Sequence, residues 1–265
     1  MITINTILSK KDLEFLEAII SEFGYIVNIS ELKNMFSHMT HNELHQRLKL
    51  LVKRGWLIRI KQGYYAVVNL ESHSFSNISP LVISGIFIPD SYVSFEHALN
   101  YHGYFDQLSD VVTCVTSRKS QKYRFQNMNY HFIKTKETMM TGYKEVTIDG
   151  ERTYIAEIEK AIIDFLHFRK DNYTVDLVLE KLFEAGKNLN TVKLIEMADL
   201  YSVSTQRRLG FLLDLCNLQS DLIHKKIMHV AGFARLTKNS NIFNSKWRIY
   251  YENRFVKQSS AFPDQ

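Results

Sequence analysis

The first seventy residues contain three successive helical patterns followed by a two-strand pattern, and this order constrains the fold more than any other feature of the chain. Apolar residues recur at helical spacing in three stretches: Leu13, Leu16, Ile19 and Ile20; Leu32, Met35 and Phe36; and Leu44, Leu48 and Leu51. Residues 56–60 and 64–68 then read as two strands around Lys61-Gln62-Gly63. This layout predicts a winged helix-turn-helix over residues 1–70, a module whose third helix usually enters the major groove of DNA.

Capping residues mark where these three helices begin. Ser9, Asn28 or Ser30, and Thr40 are the expected N-caps, because their side-chain oxygens can accept hydrogen bonds from the free N–H groups of a first turn. Thr40 and Glu43 form a capping-box pattern, which is the clearest helix start in the chain. The third helix is therefore predicted to begin directly after Thr40.

The face of the third helix opposite its leucines carries side chains suited to DNA. Asn and Gln pair bidentately with adenine, whereas Arg and Lys favour guanine or phosphate. The candidates for reading bases are His41, Asn42, His45, Gln46 and Lys49. The candidates for phosphate and wing contacts are Arg47, Lys53, Arg59, Lys61 and Gln62. An ordinary solvated helix face is the alternative, but such a face is usually rich in Glu, and this helix has only Glu43 at its cap.

The remainder of the chain predicts a larger second domain of mixed α+β type. Residues 71–80 are polar and serine-rich, which predicts a linker, and the second domain then covers residues 81–265. Its strand patterns lie at 111–116, 123–125, 128–134, 143–148 and 152–155, the last two flanking the hairpin turn Asp149-Gly150. Helical patterns lie at 81–87 and 94–101, and from residue 156 the chain is predicted to be largely helical, with Glu157 and Lys160 as a surface pair. The chain as a whole is predicted to be α+β.

The net charge is +5, and its distribution is more informative than its size. Residues 42–65 contain six basic side chains and the single acid Glu43. Residues 111–136 and 222–251 contain basic side chains and no acid. Such segregation is what a polyanion-binding surface requires, unless acids from other segments lie between the basic blocks in the fold.

Basic and aromatic residues alternate between positions 118 and 134. Because alternate residues of a strand face opposite ways, Tyr123, Phe125, Tyr130 and Phe132 are expected to share one side. The basic residues outside that aromatic side are Arg118, Lys119, Lys122 and Arg124. An aromatic core face with a solvated basic face is the favoured interpretation, and a second nucleic-acid surface is the alternative.

No arrangement of residues in the sequence predicts an enzyme. Asp149 and Glu151 are the nearest match to the paired metal-binding acids of a nucleotidyltransferase, but no Gly-Ser turn precedes them, so a solvated turn is expected. His97 is expected to pack inside a helix, and His102 to bond to the backbone at the end of that helix, rather than to hold a metal.

The sequence predicts a cytoplasmic protein without cofactor or metal. No run approaches the roughly 18 apolar residues of a membrane span, and the amino terminus lacks the pattern of a signal peptide. Cys114 and Cys216 lie in apolar surroundings, which favours two free thiols over a lone disulfide. Neither a Gly-rich phosphate loop nor a Cys/His cluster with zinc-finger spacing occurs.

Several segments, in one order along nearly the whole chain, resemble the AbiEi family of antitoxins and transcriptional regulators of phage-defence operons. They are Arg54-Gly55-Trp56-Leu57 with Gly63-Tyr64-Tyr65, residues 92–103 (YVSFEHALNYHG), residues 112–116 (VTCVT), residues 156–164 (AEIEKAIID), residues 207–213 (RRLGFLL) and residues 246–249 (KWRI). Each segment alone is a weak pattern, whereas the shared order is more specific.

The resemblance implies a function that the residue patterns do not supply by themselves. Members of this family repress their own promoter by binding inverted repeats in double-stranded operator DNA. They are the antitoxin partners of a nucleotidyltransferase-like toxin, which they generally counteract without forming a stable complex. The domain after the winged helix helps to bind DNA or carries the antitoxin activity. The expected function is an autoregulating antitoxin; a freestanding regulator, or an RNA- or protein-interaction module with a purely structural winged helix, is the alternative.

Overall fold

The structure is a computed structural model that describes residues 8–70, 78–107, 109–185 and 189–255. These residues form a mixed α+β fold of ten α-helices and three β-sheets. The chain divides into two compact units. The first comprises Met1–Pro89, Tyr123–Met128 and Val146–Thr153, and the second comprises Asp90–Lys122, Asn129–Glu145 and Tyr154–Gln265. Residues 71–77 of the predicted linker lie outside the described residues.

The first unit begins with three helices and a small antiparallel sheet. The elements are α1 (Lys10–Phe23), β1 (Ile26–Asn28), α2 (Ile29–Met35), α3 (His41–Lys53), β2 (Leu57–Lys61), β3 (Tyr64–Val67) and α4 (Pro80–Phe87). The strand order is β1-β3-β2, and both pairings are antiparallel. The sequence predicted every helix and the β2–β3 hairpin but not β1, and it placed α4 in the second domain, whereas α4 belongs to the first compact unit.

The predicted helix starts are confirmed by their hydrogen bonds. The side chain of Ser9 accepts from the Asp12 backbone N–H, and that of Asn28 accepts from the N–H groups of Ser30 and Glu31. Asn28, and not Ser30, is therefore the cap of α2. The apolar stripes of the three helices pack together in one core. This core includes Leu16, Ile19, Leu32, Leu44, Leu48 and Leu51.

A six-stranded mixed sheet follows in the order β6-β7-β5-β4-β9-β8. Its strands are β4 (Ser91–Val93), β5 (Val111–Thr116), β6 (Gln121–Phe125), β7 (Met128–Lys134), β8 (Tyr143–Ile148) and β9 (Glu151–Ala156), with α5 (Phe95–Tyr101) after β4 and a short 3-10 helix (Glu137–Met139) after β7. Pairing is parallel between β5 and β7 and between β4 and β9, and antiparallel between β4 and β5. The aromatic side predicted along β6 and β7 is confirmed where Phe125, Tyr130 and Phe132 are buried.

Five helices and a three-stranded sheet complete the described chain. They are α6 (Ile158–Phe168), α7 (Asn172–Ala185), α8 (Thr191–Ala198), α9 (Val203–Leu215), α10 (Asp221–Ile227), β10 (Ala234–Arg235), β11 (Ile242–Asn244) and β12 (Ile249–Tyr251). The sequence predicted the helices but no strands here, because each strand has only two or three residues. The two cysteines are free thiols, as predicted, with Cys114 buried and Cys216 half-buried.

The predicted surface pair of Glu157 and Lys160 is wrong. Glu157 is the residue before the first turn of α6, and its carboxylate lies 2.7 Å from the Lys144 ammonium and 2.5 Å from that of Lys193. Lys160 is only 1% exposed, and its ammonium lies 2.8 Å from the Asp164 carboxylate. The inner face of α6 therefore includes Lys160, which Asp164 one turn later neutralises.

Candidate nucleic-acid interface

Helix α3 is held by its first turn and by its apolar face. The Thr40 backbone N–H donates to Glu43 Oε2 at 2.7 Å, and the Glu43 N–H donates to Thr40 Oγ1 at 3.3 Å. Hydrogen bonds from the Thr40 hydroxyl and backbone lower the pKa of Glu43. Leu44, Leu48 and Leu51 are buried on the opposite side of the helix. This arrangement leaves one face of α3 directed outward.

All the residues predicted to read bases are exposed, with Asn42, Gln46 and Lys49 opposite the buried leucines, His41 and His45 toward one edge, and the apolar Leu50 also exposed at 40%. The His41 and His45 rings lie 4.2 Å apart, as side chains one helical turn apart do. After Glu43, α3 carries no acid along this face. The face therefore offers hydrogen-bond donors and acceptors with little negative charge to oppose a nucleic acid.

Lys33 at the last turn of α2 is a cation that the sequence patterns did not assign to the interface. Its side chain is exposed, and its positive charge is the largest cause that lowers the pKa of His41, ahead of burial and of His45. A lowered pKa keeps His41 neutral near pH 7, so its ring presents one donor and one acceptor. The available signal was the position of Lys33 just before the turn that leads into α3.

Arg47 lies on the flank of α3 that faces α1. Its guanidinium Nε is 3.6 Å from Asp12 Oδ1 and its Cζ is 5.1 Å from the centre of the Phe15 ring. Arg54 also approaches Asp12, at 3.3 Å. Since Asp12 is only 6% exposed, the two arginines neutralise a carboxylate between α1 and α3. The phosphate contact predicted for Arg47 stays a prediction, whereas Lys53 at the end of α3 is exposed as expected.

The β2–β3 hairpin leaves only some of its predicted contacts free. Arg59 and Gln62 are exposed. The Lys61 ammonium instead donates to the carbonyl oxygen of Ile86 in the last turn of α4, and it lies 4.6 Å from the centre of the Tyr64 ring. Lys61 is therefore not the free cation at the hairpin tip that the sequence predicted, because the carbonyl groups at the end of α4 bind it.

The second set of basic residues does not form one unpaired cluster. Arg118 makes an ion pair with Asp90, with its Nε 2.8 Å from Oδ2. Lys119, Lys122 and Arg124 are exposed. Lys122 also contributes to lowering the pKa of His131, after burial. These exposed basic side chains, with buried aromatic side chains in β6 and β7, fit the favoured interpretation of an aromatic core face and a solvated basic face.

Two of the residues weighed for catalysis or metal binding, Asp149 and His102, have structural partners. Asp149 Oδ2 accepts a hydrogen bond from the Ser79 backbone at 3.0 Å, within the first unit. His102 Nε2 bonds to the Ala156 carbonyl at 2.9 Å, so the ring does contact backbone, but that of the distant strand β9 and not the end of its own helix as predicted. Across the described ranges, no group of three or more His, Cys, Asp or Glu side chains could hold a metal ion.

Comparisons with known proteins give a shared fold and no family. No family model matches the chain, and no curated protein does. The crystal structure of the RV2827C protein from Mycobacterium tuberculosis aligns with a TM-score of 0.68 at 10% sequence identity, over 96% of this chain and 95% of that chain. At this identity the similarity shows the fold alone. None of the helices in the described part of the chain is long and apolar enough to cross a membrane.

Proposed function

We propose that residues 1–70 form a winged helix-turn-helix that binds duplex DNA in a sequence-specific manner, with α3 in the major groove. The observation that carries this proposal is the exposed surface of α3, where five polar side chains follow a capped start without an acid after Glu43. The order α1, β1, α2, α3, β2, β3 and the β1-β3-β2 sheet support it, because a winged helix has this connectivity.

The side chains of α3 and its neighbours divide by chemistry. Asn42 and Gln46 carry carboxamides that can pair bidentately with adenine, and Lys49 can donate to guanine. Neutral His41 presents one donor and one acceptor to base edges, and the exposed His45 ring offers two further ring nitrogens beside it. Phosphate contacts fall to the exposed cations around this face, which are Lys33, Lys53 and Arg59. Lys61 and Arg47 already have partners within the first unit, so they contribute less to binding.

We further propose that the protein is the autoregulating antitoxin of a phage-defence operon whose toxin resembles a nucleotidyltransferase. This proposal is supported by the ordered segments that resemble the AbiEi family. It assigns the inverted repeat of the protein's own promoter as the operator. It also assigns the toxin as a functional partner that the protein counteracts without a stable complex.

Substitution of Gln46 tests the DNA-reading role. Gln46→Ala should weaken binding to the operator by about 1–3 kcal/mol while binding to a scrambled duplex stays unchanged. Gln219→Ala removes an exposed glutamine from the second unit and is the matched control. Fluorescence anisotropy with both duplexes measures the difference. Unchanged operator binding by Gln46→Ala would show that α3 does not read the bases there.

Co-expression tests the antitoxin role. The gene next to that of this protein, if it encodes a nucleotidyltransferase, should arrest growth when induced alone. Induction together with this protein should restore growth, including with Gln46→Ala, since counteraction does not pass through operator binding. Continued arrest with the wild-type protein would leave a freestanding regulator as the function.

A further inference from the structure

The outer face of the carboxyl-terminal sheet carries a row of aromatic and cationic side chains. The register places Arg235 beside Tyr250, and Tyr250 beside Phe243, across strands β10, β12 and β11. Phe233, just before β10, approaches the same tyrosine, with ring centres 5.3 Å apart, and the rings of Phe243 and Tyr250 are 5.1 Å apart. We call Phe233, Phe243, Tyr250 and Arg235 the aromatic platform.

The platform is exposed although the sheet beneath it is anchored. Residues of the inner face are buried, with Ala234 at 4% and Ile249 at 0% exposure, and Tyr251 packs against Phe211 of α9 at 5.0 Å. By contrast, Phe233 is 62% and Phe243 is 49% exposed. Large aromatic side chains at this exposure carry apolar surface that folding has not buried.

Two cations of the segment 222–251 lie beside these rings, whereas Lys226 and Lys246 of the same segment form ion pairs with Asp199 and Asp214. Residues 222–251 contain no acid and six basic residues: Lys225, Lys226, Arg235, Lys238, Lys246 and Arg248. The Arg235 guanidinium lies 4.8 Å from the centre of the Tyr250 ring and donates to the Ser240 carbonyl at 2.6 Å. Arg248 donates from Nε to the Gly232 carbonyl, next to Phe233, at 2.9 Å. These backbone contacts fix two cations beside the rings.

We propose that the aromatic platform binds single-stranded nucleic acid. Bases stack on the open faces of Phe233 and Phe243, because every base has a π-face that an aromatic ring can cover. Arg235 and Arg248 contact the phosphates between the stacked bases. A purely apolar protein partner would leave these cations without counter-charge. The proposal lies in the second unit and does not depend on the duplex-reading role of α3.

Binding to labelled homopolymers tests this proposal. The full chain should bind fluorescein-labelled oligo(U) or oligo(dT) of about ten nucleotides, measured by anisotropy. Phe233→Ala and Phe243→Ala should each weaken this binding about tenfold. Phe243→Tyr should bind with wild-type affinity, because tyrosine keeps the aromatic ring on which a base stacks. Thermal unfolding of each variant should match the wild type, since both side chains are exposed.

Two control variants separate the platform from the rest of the protein surface. Tyr101→Ala removes an aromatic side chain of α5 that is 44% exposed, close to the 49% of Phe243, and should leave oligonucleotide binding unchanged. Gln46→Ala should do the same while it weakens operator binding, so the two proposals can fail independently. Tighter binding of oligo(U) than of oligo(dT) would identify RNA as the preferred ligand. Equal binding of the two would show that the platform binds by stacking and does not distinguish RNA from DNA. Absence of binding by the wild type, or wild-type affinity in both Phe→Ala variants, would overturn the proposal.

Discussion

Asp164 is the residue on which the buried polar network of the second unit depends. Its carboxylate accepts hydrogen bonds from Tyr92 (3.0 Å), Ser94 (2.8 Å), Lys160 (2.8 Å) and Tyr201 (2.9 Å). Burial lowers the pKa of Lys160 and raises the pKa of both tyrosines, and the Asp164 charge contributes to each tyrosine shift. Every donor in this network is therefore oriented by one carboxylate.

Removal of Asp164 should be strongly destabilising. Asp164→Ala leaves the Lys160 ammonium buried without a counter-charge, and we expect a loss of about 3–5 kcal/mol in the free energy of unfolding. Urea denaturation measures this loss. The double variant Asp164→Leu with Lys160→Met removes both charges and should lose less than Asp164→Ala alone. A single-variant loss no larger than that of Glu196→Ala, at an exposed position, would contradict the network's role.

The pKa of His41 reports the charge of Lys33. In the wild type, the lysine makes protonation of His41 unfavourable, so the imidazole takes up its proton at a lower pH than an isolated histidine does. Lys33→Ala should raise the pKa of His41 toward its ordinary value, measured by NMR titration of the ring. Lys10→Ala, on α1, should leave that pKa unchanged. An unaltered His41 titration in Lys33→Ala would contradict the placement of α2 against α3.

At the scale of elements, the ring of Trp247 packs directly against the backbone of α9 at Gly210. A Cβ atom built on Gly210 of α9 would lie 2.2 Å from Cη2 of the Trp247 ring. Trp247 is buried and donates from Nε1 to Asp214 Oδ2 at 2.7 Å. The indole is thus fixed by Asp214 on one side and by Gly210 on the other. It cannot move aside for the methyl group of an alanine without losing the hydrogen bond to Asp214.

Gly210→Ala should destabilise the protein although alanine favours helices. The helical advantage of alanine is about 1 kcal/mol, whereas overpacking costs about 1–3 kcal/mol, and here the clash involves a buried ring. Gly85→Ala in α4 is the matched control, because its Cβ would meet Thr153 at 3.6 Å, an ordinary contact. We expect thermal unfolding to shift downward for Gly210→Ala and not for Gly85→Ala. Equal shifts would contradict the close packing of α9 on Trp247.

Local signals in the sequence predicted some elements and not others. The capping box at Thr40 and the Asp149-Gly150 turn were predictable because each depends on neighbouring residues. Strands β1 and β4 have three residues each, too few for an alternating pattern, and both form by pairing with distant partners: β1 with β3, and β4 with β5 and β9. The strands of the aromatic platform were missed for the same reason.

For the candidate interface, the exposed residues could be predicted from the sequence, whereas the tertiary partners of its basic residues could not. The exposed face of α3 followed from the spacing of Leu44, Leu48 and Leu51. The partners of Arg47 and Lys61 did not, because Asp12 and the end of α4 come from other parts of the chain. The burial of Lys160 could not be predicted either. Helical spacing shows which residues share a face of α6, but it does not show which face other elements cover.

At the scale of the whole molecule, one fold is encoded by very different residues. A protein with 10% sequence identity aligns over 96% of this chain. Cores tolerate wide substitution when volume and apolar pattern persist, so burial patterns rather than residue identities specify this fold. In the proposed function, binding depends on exposed residues that the fold leaves free to vary, such as those of α3.

The two proposed nucleic-acid surfaces lie in different compact units of the chain. The face of α3 offers hydrogen bonds to base edges, and the aromatic platform offers stacking. We expect Phe243→Ala to leave operator affinity unchanged and Gln46→Ala to leave oligonucleotide affinity unchanged, measured by anisotropy on both ligands. Loss of both activities in either variant would contradict the independence of the two surfaces.

The most direct test of the central claim is binding of the purified protein to its own upstream DNA and to a scrambled duplex of equal length, at two salt concentrations. Raised salt should weaken both affinities, because phosphate contacts release counterions. The upstream duplex should remain the tighter ligand at both concentrations, because base contacts by α3 do not depend on salt in the same way. Equal affinity for the two duplexes, or no binding to either, would contradict the claim that α3 reads DNA sequence.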